Sequence, residues 1–252
     1  MSGHSKWSSI KRKKAVADAK RGAVFTRAIK EITVAARLGG GDGDANPRLR
    51  LAISQARAAN MPQTNIDRAI RKGTGELPGV RYESAVYEGY GPGGAAILMD
   101  VLTDNKKRTV ADIRHLMAKY GGNLGESGSV AWQFENRGTL TVLVEGVSED
   151  DLFEAAVNYG AEEIEQEDDQ FVISVPAEKV YELQSVLEER GFSIDSVEIG
   201  LEPTSTVPVT GSDARRLLKL LDALDELEDI QKVYSNCDIA EEELATFDRA
   251  SA

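Results

Sequence analysis

The chain has 252 residues, 41% of them apolar, and 42 Asp/Glu outweigh 30 Lys/Arg to leave a formal net charge of −12. That much apolar material builds a globular protein of two or three compact domains. No apolar run reaches the roughly 18 to 20 residues of a membrane helix and no apolar stretch follows the first charges, so no membrane partner is expected and a cytoplasmic protein is.

Only His4, His115 and Cys237 are available from the residue types that triads and zinc sites draw on, and a lone Cys excludes an internal disulfide. No cofactor is expected. The charge is divided unevenly. Residues 1–76 hold 16 Lys/Arg against 6 Asp/Glu, a net of +10, whereas residues 77–252 hold 14 against 36, a net of −22. This is the pattern of a basic binding module on an acidic body.

In chain order, the first segment is GHSKWSSIKRKK. Lys11, Arg12, Lys13 and Lys14 would point all round a helix axis, so residues 8–20 read as a mobile arm. Lys6 and these four cations attract phosphate, and Trp7 either stacks on an unpaired base or plugs a groove of its own domain. With Met1 removed, Ser2-Gly3-His4 would chelate Cu(II) or Ni(II), as any such terminus does, and no metal role is assigned to it.

Phe25, Ala28, Ile29, Ile32, Ala35 and Ala36 fall at helical spacing up to Gly39-Gly40-Gly41. GGGDGDANP reads as a flexible linker. Leu49, Ala52, Ile53 and Ala56 predict a second helix, and after Met61-Pro62 the run NIDRAIRK predicts a third. On it Ile66, Ala69 and Ile70 lie on one side and Arg68, Arg71 and Lys72 on the other, so one face packs and the other is cationic.

Past GTGELPG the pattern changes to strands. YESAVYEGYG, the turn GPGG and the apolar run AAILMDVL predict a hairpin with a buried second strand. The next helix has Thr109 and Asp112 in capping-box positions and stops at Gly121-Gly122. Ahead of it, TDNKKRT places Lys106, Lys107 and Arg108 beside a helix N-terminus, where the dipole repels cations and favours an anion. The loop is read as a second phosphate contact, with a solvated surface loop as the competing reading. Val130, Trp132 and Phe134 alternate as a strand.

From Thr139 to Ile199 the order is strand, helix from Ser148, strand at Ile164, strand FVISV, helix Ala177 to Glu189, strand SIDSVEI, which is a ferredoxin-like βαββαβ unit. TVPV, a Leu-rich helix and a strand at IQKVY follow, then the acidic stretch AEEELATFDRASA, read as a frayed tail. Since the βαββαβ unit closes on itself, the elements flanking it must pair with each other. The expected fold is therefore multidomain α and α+β: a basic helical domain with its arm (1–78), a discontinuous α/β middle domain (79–136 plus 203–238) and an inserted ferredoxin-like domain (137–202). Its glycine-rich stretches lack nucleotide-binding spacing, and EEIEQEDD reads as a solvated hairpin.

The segments MSGHSKWSSIKRKK, GGGDGDANPRLRLAI, ARAANMPQTNIDRAIRKGTGE, YEGYGPGG, TDNKKRTVADIRHLMAKYGGNLGESGSVAWQF and DIQKVYSN, in this order, resemble the YebC family, whose mitochondrial members include the translational activator of cytochrome oxidase subunit I. The resemblance implies three domains and a non-enzymatic role in gene expression, either as a DNA-binding transcriptional regulator or as a ribosome-associated translation factor. It places the family's GHSKW motif on Gly3, His4, Ser5, Lys6 and Trp7, and its loop motif on Asp104, Asn105, Arg108 and Thr109. Lys107 stands where the family pattern has Asn. The expected function is regulation of gene expression by nucleic-acid binding, with ribosomal RNA on the ribosome as the first target, DNA as the alternative, and a protein partner for the acidic domains.

Overall fold

The computed structural model describes residues 21–144, 148–167, 169–240, 242–244 and 247. These form two compact units, one over Trp132–Thr206 and one made of the described residues on either side of it in sequence.

The larger unit begins with three helices, α1 (Arg21–Gly39), α2 (Pro47–Ala58) and α3 (Gln63–Gly73). Ile32, Ala35 and Ala36 of α1, Leu49, Ala52 and Ala56 of α2, and Ile66 and Ala69 of α3 are buried together with Met61. Small residues at these contacts let the axes come close. A Cβ on Gly73 would lie 2.5 Å from the carbonyl oxygen of Thr33, so a larger residue there would force α3 away from α1.

The stretch GGGDGDANP is a largely exposed loop pinned at one buried residue. Asn46 is 5% exposed. Its side-chain amide donates to the carbonyls of Ala35 and Gly40, both at 2.9 Å, while its oxygen accepts from the N–H of Leu49 at 3.1 Å as the N-cap of α2. One side chain thus ends α1, closes the loop and starts α2. The other end of α2 turns at Asn60, whose φ of 59° is the left-handed conformation that Asn tolerates better than most residues.

Next come β1 (Glu83–Tyr90), β2 (Ala96–Thr103), α4 (Lys106–Tyr120) and β3 (Asn123–Leu124). After the intervening unit the chain returns with β8 (Val207–Pro208), α7 (Gly211–Asp225), β9 (Ile230–Ser235) and β10 (Cys237–Asp238). The four-stranded sheet has the order β3-β1-β2-β9, so β9 closes against β2 across the whole intervening sequence. Short parallel strands β8 and β10 form a second, two-stranded sheet. Ile97, Met99 and Val101 of β2, Ile113 and Met117 of α4, and Leu217, Leu220, Leu221 and Leu224 of α7 make the core. Phe247 is buried there too, and Glu242–Leu244 are helical. The described part of the acidic C-terminal stretch is therefore packed and not frayed; its apolar residues outweigh its charge.

Two further expectations are corrected here. Helix α4 starts at Lys106, with Asn105 as its N-cap accepting from the N–H of Arg108 at 3.1 Å, so Thr109 lies inside the helix and forms no capping box with Asp112. Ala131–Gln133 is a short 3₁₀ turn and not part of a strand. Its backbone is held by Glu88, a buried carboxylate that accepts from the N–H groups of Gly128, Val130 and Ala131 at 2.7, 2.8 and 2.8 Å. Burial alone would push this carboxyl up, but the three donors hold it below its ordinary value.

The unit Trp132–Thr206 contains β4 (Phe134–Leu143), α5 (Glu149–Asn158), β5 (Glu163–Glu167), β6 (Gln170–Pro176), α6 (Val180–Glu189) and β7 (Ile194–Pro203). Its antiparallel sheet has the order β5-β6-β4-β7, the ferredoxin-like arrangement. The region Ala177–Glu189, read as one helix, opens with a 3₁₀ turn before α6. Replacing Asn46 by Ala removes a cap and two amide–carbonyl hydrogen bonds, and should lower the unfolding free energy by about 1–3 kcal/mol in chemical denaturation.

Candidate nucleic-acid interface

The third helix turns as its spacing predicts. Ile66 and Ala69 are buried and Ile70 half-buried, while Arg68 and Arg71 are exposed and Lys72 is half-buried. Arg71 and Lys72 occupy the last turn, where cations complement the helix dipole, so the fold itself gains from them. Arg71 also pairs with Glu76 at 3.4 Å. Arg68 has no such use; among the described residues no carboxylate pairs with it.

Beside this face the structure places Arg57 of α2. Its guanidinium donates to Gln63 at 3.2 Å, and Gln63 donates in turn to Asp67 at 2.7 Å, so Arg57 is held against the start of α3. Sequence reasoning missed it. The signal was present, since Arg57 sits off the apolar face of α2, but its neighbour depends on how the two helices meet.

Other cations of the basic segment are consumed internally. Arg48 forms an ion pair with Glu31 at 2.7 Å, Arg37 donates to the carbonyl of Val80 at 3.0 Å, and Arg50 donates to the carbonyls of Gly43 and Asp44. Arg27 donates to the carbonyl of Asp225 at the end of α7. The charge count of residues 1–76 therefore overstates the positive surface of that segment.

The TDNKKRT segment separates in the same way. Lys106, Lys107 and Arg108 form the first turn of α4 and not a loop ahead of it. Lys106 pairs with Glu83 at 2.9 Å. Lys107 is exposed, and no described carboxylate pairs with it. The Arg108 guanidinium lies 2.8 Å from Asp104 and 2.9 Å from Asp229, two carboxylates that hold its pKa above the ordinary value. Of the three cations, Lys107 is the one left for a phosphate.

Asp229 gathers four donors. Lys30 of α1 lies 2.6 Å from one oxygen; Arg108, Thr109 and Thr103 lie 2.9, 2.7 and 3.2 Å from the other. Lys30 also donates to the carbonyl of Glu228 at 2.8 Å and stands 5.7 Å from the ring of Tyr82. Desolvation works to raise the Asp229 pKa. Hydrogen bonds from Lys30, Thr109 and Arg108, with the charge of Lys30, overcome it and bring the carboxyl down to about 2. The loop motif Asp104, Asn105, Arg108 and Thr109 thus builds the joint between α1, α4 and β9.

His4, Lys6, Trp7, Lys11, Arg12, Lys13 and Lys14 lie outside the described residues, as does the arm they belong to. Among the described residues no group of three His, Cys, Asp or Glu is arranged to hold a metal ion. Burial pushes the Cys237 thiol up to about 11, which leaves it protonated and unreactive at neutral pH.

Residues 5–76 match a family model described as the TACO1/YebC protein N-terminal domain, and residues 82–237 match one described as the TACO1/YebC second and third domain. A probable transcriptional regulatory protein of Geotalea uraniireducens is 52% identical over 244 residues, covering 97% of this chain and 98% of the relative. One from Chlorobaculum tepidum is 52% identical over 242 residues, 96% of each chain. The crystal structure of a conserved hypothetical protein from Aquifex aeolicus superposes with a TM-score of 0.83 at 46% identity, covering 95% of this chain and 99% of the other.

Changing Asp229 to Ala strands the buried Lys30 charge and should cost about 3–5 kcal/mol of stability. Because this carboxyl titrates near 2 when folded and near 3.8 when unfolded, its contribution is complete above about pH 4 and is lost as pH falls through about 2. Acid unfolding of the wild type should show that loss, and the variant should not. Lys107→Ala should leave the melting temperature unchanged; Arg108→Ala should lower it with no nucleic acid present.

Proposed function

This chain belongs to the TACO1/YebC family, and on that basis we propose that it is a non-enzymatic nucleic-acid-binding regulator of gene expression. We assign it the role of a ribosome-associated translation activator in the cytoplasm that contacts ribosomal RNA through its basic N-terminal domain. The observation that carries this reading is the outward cationic face of α3, with Arg68 unpaired by any described carboxylate, on the one strongly basic segment of an acidic chain. Fixed cations on a packed helix displace counterions from a phosphate backbone without demanding a sequence. Lys6, Trp7, Lys11, Arg12, Lys13 and Lys14, with His4 beside them, extend the same chemistry. They supply an aromatic that can stack on an unpaired base, a feature suited to irregular RNA. Lys107 stands at the start of α4 as a further contact.

The domain division that goes with this role is 1–78 for the basic helical domain, 79–136 plus 203–238 for the α/β domain and 137–202 for the ferredoxin-like one. No described helix is long and apolar enough to cross a membrane. A second reading, a DNA-binding transcriptional regulator, is favoured by the names of the relatives, which are called probable transcriptional regulatory proteins. The net of −22 over residues 77–252 repels DNA and RNA alike and does not decide between the two readings; the aromatic of the arm, suited to an unpaired base, favours RNA.

The test is co-sedimentation with purified ribosomes beside a duplex-DNA titration, across a salt series. It compares the wild type, the triple variant Arg68→Ala, Arg71→Ala, Lys72→Ala, and a variant of the arm with Trp7, Lys11, Arg12, Lys13 and Lys14 changed to Ala. Ribosome binding should weaken in both variants, and loss of three phosphate contacts should flatten the log–log salt slope by about 2–3. Tight, sequence-selective duplex binding with no ribosome association would replace this reading with the transcriptional one.

A further inference from the structure

The acidic part of the chain contains one basic helix. Residues 77–252 hold 14 Lys/Arg and 36 Asp/Glu, yet α4 alone carries five of the 14, Lys106, Lys107, Arg108, Arg114 and Lys119, and one of the 36, Asp112. Thr109, Ile113 and Met117 turn one side of this helix inward. At about 100° per residue the opposite side is a single arc of Lys107, Ala111, Arg114, His115 and Ala118, with Lys119 at its edge. All six are exposed.

Two of the five cations are committed elsewhere, Lys106 to Glu83 and Arg108 to Asp104 and Asp229. No described carboxylate pairs with Lys107, Arg114 or Lys119. Lys119 stands 5.1 Å from the ring of Tyr120 and, in the last turn, complements the helix dipole. Lys107 is at the other end, where the dipole disfavours it, and Arg114 is too far from either end to gain from it. Helix stability therefore does not account for those two. The three unpaired cations are spread over about 18 Å of axis at 1.5 Å per residue. Ala111 and Ala118 among them are short enough for a partner's backbone to come close. A line of cations on a packed helix matches a phosphodiester backbone, which releases counterions at each cation it meets. The arc offers no large apolar side chain, the kind of anchor on which protein interfaces depend, so its chemistry favours phosphate over an acidic protein.

We propose that the outward face of α4 is a second RNA contact, in which Lys107, Arg114 and Lys119 each meet a backbone phosphate and Asp112, bordering the arc, limits the strength of the contact. The inference rests on the nucleic-acid-binding role given above and adds to it a surface outside the basic N-terminal segment.

The test titrates the full chain with a single-stranded RNA of mixed sequence across a salt series, with a duplex DNA of equal length and a Glu/Ser peptide as the other arms. The triple variant Lys107→Ala, Arg114→Ala, Lys119→Ala should bind the RNA at least about tenfold more weakly at physiological salt, and its log–log salt slope should flatten by about 2. A control variant, Arg81→Ala, Lys179→Ala, Arg190→Ala, removes the same charge from exposed positions elsewhere and should change affinity by about twofold at most, because scattered charges are screened. If the triple variant melts lower than the wild type, Asp112→Asn decides: it takes the only acid from α4 and should tighten RNA binding by about twofold. An equal loss in the control, or an Asp112→Asn variant that binds no more tightly, would overturn the proposal. So would a Glu/Ser peptide or the duplex DNA that binds through these three residues more tightly than the RNA does. RNA binding lost in the Arg68, Arg71, Lys72 variant but intact in the α4 variant would remove this contact and leave the role standing. Absence of RNA binding by the wild type would remove both.

Discussion

A desolvated carboxylate with four donors holds the larger unit together. Asp229 takes Lys30 from the first helix, Arg108 and Thr109 from α4 and Thr103 from the end of β2, and its own position fixes the start of β9. These groups are distant in sequence. Lys30 and Asp229 are the two charges withdrawn from water, and each needs the other to offset that cost, while Arg108 joins them from the exposed side. The joint is thus cooperative: the helical segment, the sheet and the returning strand are specified by one contact instead of three.

Glu88 repeats the device on a smaller scale. A carboxylate placed under a turn of Gly128–Ala131 satisfies three backbone N–H groups that no helix or sheet ladder reaches. Buried polar backbone must find partners, and here an acid inside β1 supplies them. Together the two residues explain why a formal charge count is a poor map of the surface. Some of the acid in this chain and much of its base are internal structure.

What remains outside is divided. The cations left over on the outside are few and specific, Arg68 foremost, with Arg57 in the last turn of α2 and Lys107 in the first turn of α4. On the ferredoxin-like unit the two helices carry acids and no Lys or Arg, and the cations nearest them in sequence, Lys179 and Arg190, flank the second helix.

The periodicity of apolar residues determined nearly every element, because burial of one face is a local demand that sequence spacing expresses directly: α1, α3, the buried β2 and the βαββαβ order were all legible. Where the reading failed, a side chain had a distant partner. Asn46 pinned a glycine-rich linker at one buried residue, Asn105 displaced the expected cap at Thr109, Glu88 made a turn of what alternated like a strand, and Phe247 drew the acidic end into the core. The same limit governs the site. The sequence by itself determined that the N-terminal segment is basic and that Arg68, Arg71 and Lys72 share a face, since helical spacing fixes both. Only the tertiary structure decided that Arg108 belongs to Asp229 and that Arg57 joins the cationic face. A cation's availability depends on which carboxylate the fold brings beside it, and that distance is not written in the spacing of any one segment.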